Sequence, residues 1–217
     1  MGNVKTAEKS RKSKLLFTFF LFASSTVNAA NTANMKDLML FLGDSITAGG
    51  GVKPEQLYPA RINTGLKGMN LNIQIENAAK AAEPLQNLSK RLPDLLKKKP
   101  RYVIIALGDD EMRRGAPVDQ IQSQLASMID SFKGQGSQVF LLGFSAVVQF
   151  GPQYKSMFDQ MYPNFQLQKK VPLLPDLLGN VIGHKDLLQK DGIHPNAKGH
   201  EQISAKVLGF LIPHLQH

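Results

Sequence analysis

The chain has 217 residues, with 26 Lys and Arg against 17 Asp and Glu, a formal net charge of +9 and no cysteine. The lack of cysteine excludes disulfides, thiolate metal sites, a Cys nucleophile and a lipid-modified N-terminal Cys. No stripe of basic and aromatic residues points to nucleic acid, so the charge implies a soluble surface with a mild preference for anionic partners.

Residues 1–14 carry five of the basic residues against a single acid, Glu8. An apolar run, Leu15 to Ala23, follows, and then small and polar residues ending in Val27-Asn28-Ala29. A basic start, a short apolar stretch and a small-x-small end are the parts of a secretory signal peptide, and the run falls short of the about 20 residues that span a bilayer. Residues 1–29 are therefore expected to be a signal peptide cleaved after Ala29 or Ala30, and residues 30–217 one domain, periplasmic or secreted. An uncleaved N-terminal anchor is the other reading.

Downstream, apolar runs alternate with helical patterns. Leu38–Leu42 reads as a buried strand ended by Gly43, Leu71–Glu76 as a more exposed strand, and Tyr102–Leu107 as a buried strand ended by Gly108. Val139–Leu142, ended by Gly143, and a weaker Val171–Leu174 complete the set. Between them Leu85, Leu88, Leu92, Leu95 and Leu96 fall at helical spacing, as do Ile121, Leu125, Met128, Ile129 and Phe132, with Gly134 placed to end that helix. Ile203, Val207, Phe210 and Leu211 mark a C-terminal helix. Strands alternating with helices imply a parallel sheet covered on both faces, with ligands beyond the carboxyl ends of the strands. Chemistry belongs just after Leu42, Glu76 and Leu107.

Two segments there carry suitable residues. Gly43-Asp44-Ser45 puts a serine after the first strand, where it reads as a nucleophile or as a helix N-cap. Asp191-Gly192-Ile193-His194 places an acid three residues before a histidine in a Gly- and Pro-bearing loop, which reads as an acid–base pair or as a surface turn. The pair together resembles the SGNH, or GDSL, hydrolases. The likeness extends through Arg91-Leu92-Pro93, Pro100-Arg101-Tyr102-Val103, Leu107-Gly108, Arg114-Gly115 and Val171–Pro175. It is nearest to the bacterial periplasmic multifunctional acyl-CoA thioesterase/lysophospholipase (arylesterase-like) branch.

The resemblance implies a flavodoxin-like three-layer α/β/α sandwich with a five-stranded parallel sheet. It also implies a triad of Ser45, His194 and Asp191, no cofactor, and an oxyanion hole formed by the Ser45 N–H, a glycine N–H and an asparagine side chain. The last two positions fall on Ala82 and Asp110. Alanine keeps the backbone donor, at a strain of about 1 kcal/mol or more if φ must be positive. Aspartate matters more, since losing one side-chain donor costs roughly 2.7–4 kcal/mol and an ionised carboxylate repels the oxyanion. A protonated Asp110 would donate instead and shift the optimum toward acid.

The expected substrate is an acyl ester, thioester or lipid. A cell-wall glycan acetyl esterase and a weakly active or non-catalytic acyl- or glycan-binding scaffold are the alternatives. His184, His200, His214 and His217 show no metal spacing, so no metal is expected. Lys97-Lys98-Lys99 reads as a solvated helix end able to attract anionic lipid in transient membrane-surface contact. Gln149–Tyr162 is expected to form a loop and helix over the site entrance. Its Phe150, Tyr154, Met157 and Phe158 are placed there as packing residues first and acyl contacts second.

Overall fold

The structure is a computed structural model that describes residues 36–215 and the first two residues. The expected signal peptide lies, apart from those two, outside the described residues. Among the described residues no helix is long and apolar enough to cross a membrane.

Five parallel strands form one sheet: β1 (Lys36–Gly43), β2 (Gln74–Asn77), β3 (Pro100–Ala106), β4 (Gln138–Leu142) and β5 (Leu173–Leu174), in the spatial order β2-β1-β3-β4-β5. The central strands read as continuous apolar runs because both faces are covered, and Met39 to Leu42, Val103 to Ala106 and Phe140 to Leu142 are all buried. The helices are α1 (Ser45–Ala48), α2 (Tyr58–Gly68), α3 (Leu85–Lys97), α4 (Asp109–Arg113), α5 (Val118–Gly134), α6 (Gly151–Lys169) and α7 (Ala197–Leu211). Helix α2 packs on α7, while α5 packs on both α3 and α6. With the right-handed crossovers that parallel strands favour, the strand order puts the first group on one face of the sheet and the second on the other, the three-layer, flavodoxin-like sandwich.

The chain runs outward from β1 to β2 and then returns across β1 to β3, so the strand order reverses between β1 and β3. Such a reversal opens a crevice beyond the strand ends. Here Gly43 pairs in register with Ala106, so the turns that follow β1 and β3 leave the sheet side by side.

Several boundaries differ from the sequence reading. The second strand starts at Gln74, because Leu71–Ile73 is spent leaving α2 through Asn70 at φ 59°. Helix α5 runs through Gly134, and the positive-φ glycine after it is Gly136 at 98°. Helix α2 went unread: its buried Tyr58, Pro59, Ile62 and Leu66 make a narrow stripe broken by polar residues and Gly65.

Candidate active site

β1 delivers its chain to a tight turn. A Cβ on Gly43 would sit 2.2 Å from Thr47 Oγ1, so only glycine allows α1 to fold back this closely. Asp44, 1 % exposed, is the N-cap of α1: its Oδ1 accepts the Ile46 N–H at 3.3 Å. Ser45 is thus the first helical residue and not the cap considered from sequence. The end of β2 is tied to the same turn, where Asn77 Nδ2 donates to Thr47 O at 2.9 Å.

The loop after β2 is braced from α3. Arg91 donates to Ala78 O at 2.6 Å and to the Glu83 carboxylate at 2.6 and 3.0 Å. Between these anchors Ala82 adopts φ 56°, the left-handed conformation that glycine takes more cheaply.

Gly108, at φ 119°, turns the chain out of β3. A Cβ there would lie 2.7 Å from the Tyr162 hydroxyl, which donates to Leu107 O at 2.9 Å. Three consecutive acids then open α4, all buried. Asp109, 2 % exposed, is held by Arg113 Nε at 2.7 Å. Glu111 accepts Arg114 Nη2 at 2.8 Å and the Leu85 N–H at 3.2 Å, which fastens α4 to the start of α3. Asp110 meets Ser45. The Ser45 hydroxyl donates to Asp110 Oδ1 at 2.6 Å, and the Ser45 N–H points to Oδ2 at 3.4 Å. The Asp110 N–H in turn lies 3.4 Å from Asp44 Oδ2.

Burial lifts the Asp44 carboxyl well above the usual carboxylate range, and the charges of Asp110 and Asp109 lift it further. Asp109 and Glu111 are also raised, chiefly by burial, with Arg113 and Arg114 pulling back.

The Asp191–His194 loop closes the site from the opposite side. Asp191 Oδ1 accepts the N–H groups of Ile193 and His194 at 2.9 and 3.0 Å, with Gly192 at φ 68° completing the turn. Asp191 Oδ2 lies 2.6 Å from His194 Nδ1. The His194 side-chain bond, followed by the two backbone bonds, holds the Asp191 carboxyl down at about 2. A carboxylate only accepts, so Nδ1 carries the proton and Nε2 is left with the lone pair that a base needs.

Ser45, Ala82, Asp110, Asp191 and His194 line one cleft of about 540 Å³, together with Ala81, Ile193, Arg113 at the end of α4 and Arg114 just after it. Every site residue read from the sequence is therefore brought to one place. Ser45 is joined directly to Asp110, and His194 to Asp191.

Gln189 was missed. It donates to Gly50 O at 2.8 Å and Pro195 O at 3.0 Å and so pins the His194 loop to the chain beyond α1. Nothing in its sequence neighbourhood marks it. Asn196, which caps α7 by accepting the Lys198 and Gly199 N–H groups, is legible as an Asn just before a helical pattern.

The segment expected over the entrance is a 3-10 turn (Val148–Phe150) followed by α6, and none of its residues lines the cleft. Phe158 is core, the Tyr154 hydroxyl donates to Ala116 O at 2.8 Å, and Phe150 packs over Gly115, where a Cβ would meet its ring at 2.8 Å. Packing, the first of the two expectations, is what Phe158 and Tyr154 show, whereas Phe150 is partly exposed and Met157 is exposed on α6 away from the cleft lining.

A family model of GDSL-like lipases and acylhydrolases matches residues 41–202, from β1 into α7. The chain belongs to that family. It is similar to Esterase TesA of Pseudomonas aeruginosa, 33 % identical over 176 residues that cover 81 % of this chain and 88 % of that protein. It is also similar to thioesterase 1/protease 1/lysophospholipase L1 of Escherichia coli K12, 28 % identical over 204 residues and 94 % of each chain. A crystal structure of TesA superposes with a TM-score of 0.78 at 32 % identity, covering 82 % of this chain and 99 % of that one. GDSL-family membership makes this chain an enzyme, a hydrolase of carboxylic esters or thioesters.

Proposed function

We propose that the chain is a periplasmic or secreted serine esterase/thioesterase acting on acyl esters through Ser45, His194 and Asp191. The observation that carries this is the opening of Ser45 and the Asp191–His194 pair onto one cleft. Ser45 Oγ attacks the carbonyl carbon, its proton passes to His194 Nε2, and the carbonyl π pair moves to oxygen. Collapse reforms the carbonyl and breaks the bond to the alkoxide or thiolate, which takes the proton from His194. Water then attacks the acyl-enzyme, gives its proton to His194, and collapse returns Ser45 with the free acid. Asp191 supports the imidazolium in both halves.

The developing oxyanion would lie against the Ser45 and Ala82 N–H groups, with the Asp110 side chain at the third position. Ala81, Ala82 and Ile193 give the cleft an apolar side suited to an acyl group, which favours lipid-like esters over glycans. The family likeness and the signal peptide read over residues 1–29 support secretion, with cleavage near Ala29. One observation favours a second reading, a weakly active or non-catalytic binder: the Ser45 hydroxyl is engaged by Asp110.

Labelling with a fluorophosphonate, and hydrolysis of short- and medium-chain acyl esters by the native chain and Ser45→Ala, test the proposal. Labelling and turnover that vanish in the variant are expected. Turnover that persists in Ser45→Ala rejects the mechanism.

A further inference from the structure

Proton transfer between Ser45 and His194 needs their side chains within hydrogen-bond reach, and a misplacement of about 1 Å can cost on the order of a hundredfold in rate. Asp191 cannot set that approach. It belongs to the same short loop as His194 and fixes the ring within that loop. A contact from outside has to fix where the loop stands relative to Ser45.

The Gln189 side chain makes that contact. Both N–H bonds of its amide are used across the gap: Nε2 donates to Gly50 O at 2.8 Å and to Pro195 O at 3.0 Å. Gly50 lies just beyond α1, the short helix that starts at Ser45 and is closed by the Gly49 N–H on Ser45 O at 2.9 Å. Pro195 directly follows His194. One planar amide thus ties the end of the serine's helix to the residue after the histidine. Among the described residues no other hydrogen bond joins residues 44–51 to residues 185–196. The Gln189 backbone grips the same loop from within, its N–H donating to His194 O at 2.8 Å and its carbonyl accepting the Gly192 N–H at 3.0 Å. The far end of the bridge is shaped to receive it. Gly51 has φ 85°, and a Cβ there would lie 2.1 Å from Gln189 Oε1, so only glycine leaves room for the amide.

Resting on the triad reading, we propose that Gln189 is a positioning residue whose amide sets the approach of His194 Nε2 to Ser45 Oγ. Asp191 orients the ring and Gln189 places it. No bond is made or broken at Gln189, and its two N–H groups stay on the Gly50 and Pro195 carbonyls through turnover. Without the amide the Asp191–His194 pair survives, but its loop drifts from the serine. The chemical step slows, while Ala81 and Ala82 on the opposite wall of the cleft keep their contact with the acyl group.

Gln189→Met keeps the length of the side chain and removes both donors. Gln189→Glu keeps the shape and turns an acceptor toward two carbonyls. With an activated aryl ester of a short acyl chain, each should lower kcat by roughly 10- to 100-fold and leave KM within about twofold of native. The decisive comparison places Gln189→Met in a His194→Ala background. With no imidazole left to place, the substitution should change the remaining rate by less than about twofold, whereas a merely structural role would carry its loss into both backgrounds. Fluorophosphonate labelling of Ser45, followed over days, gives the same comparison where turnover is too slow to read. Thermal melts establish that the variants fold. A Gln189→Met kcat within about twofold of native, a loss expressed mainly in KM, or an equal loss in both backgrounds overturns the proposal and leaves the hydrolase reading standing. If the native chain shows no turnover, or turnover that persists in Ser45→Ala, the hydrolase reading falls and the proposal with it.

Discussion

The two oxygens of Asp191 are divided between two tasks: Oδ2 holds His194 Nδ1 at 2.6 Å, while Oδ1 accepts the backbone N–H groups of Ile193 and His194. Asp191→Asn keeps the second task and corrupts the first. The amide N–H₂ facing His194 would force Nδ1 to accept and leave the proton on Nε2, where it blocks the base. We expect kcat to fall by roughly 10²- to 10⁴-fold with little change in KM or melting temperature. Steady-state kinetics with a thermal melt checks this. A variant within twofold of native would remove Asp191 from the mechanism. Because Asp191 sits at about 2, its own titration contributes nothing to an acid limb above pH 4.

Ala82 occupies a left-handed backbone at φ 56°. Ala82→Gly should relieve about 1 kcal/mol of strain, less the entropy glycine adds to the unfolded chain. The net gain should raise the melting temperature by about 1–3 °C in a domain of this size. Ala82→Val, β-branched in the same conformation, should lower it. Calorimetry on the two variants decides, and a glycine variant that melts earlier than native would show that the loop carries no strain there.

His200 is buried and stacked beside Tyr58, its Nδ1 accepting the Tyr58 N–H at 3.4 Å. Burial, with help from the charges of Arg61 and His194, pulls its pKa down to about 4. Unfolded, it titrates near ~6.5. Between these values the unfolded chain binds a proton that the folded chain refuses, so the contribution is full above about pH 6.5 and drains away as pH falls toward 4. His200→Asn keeps an acceptor and removes the titration. The stability lost between pH 7 and 4.5, read by urea unfolding, should shrink by about 2 kcal/mol in the variant. An unchanged loss would place the acid sensitivity elsewhere.

Arg113 answers the buried carboxylate of Asp109 and also lines the cleft. Arg113→Met strands that carboxylate and should cost about 3 kcal/mol at neutral pH. The folded pKa of Asp109 is already raised and would rise further, so the cost should be greatest at alkaline pH and fade as the group takes up a proton. Adding Asp109→Asn should recover more than half of the loss. Denaturant titrations of the single and double variants at pH 5 and 8 test both statements.

The central strands were legible because burial on both faces leaves an unbroken apolar run, and α3 and α5 because their apolar spacing is wide and regular. Helix α2 was not, because its buried stripe is narrow. Ser45, Asp191 and His194 announce themselves through short local motifs, whereas the 2.6 Å contact between Ser45 and Asp110 depends on β1 and β3 being neighbours with Gly43 level with Ala106. No reading of either motif contains that register. Gln189 escaped for the same reason, since its partners at Gly50 and Pro195 become neighbours only after folding. The Asp109–Arg113 pair, at helical i,i+4 spacing, was within reach of sequence and went unread.

Asp44 reaches both sides of the crevice, capping the helix that begins at Ser45 with one oxygen and meeting the Asp110 backbone with the other. The turn after β1 and the turn after β3 are thereby welded into a single part. A graft that imports only one of them from a relative would arrive without its counterpart and misalign the serine. The two segments are exchangeable only as a set, with Asp44 travelling between them.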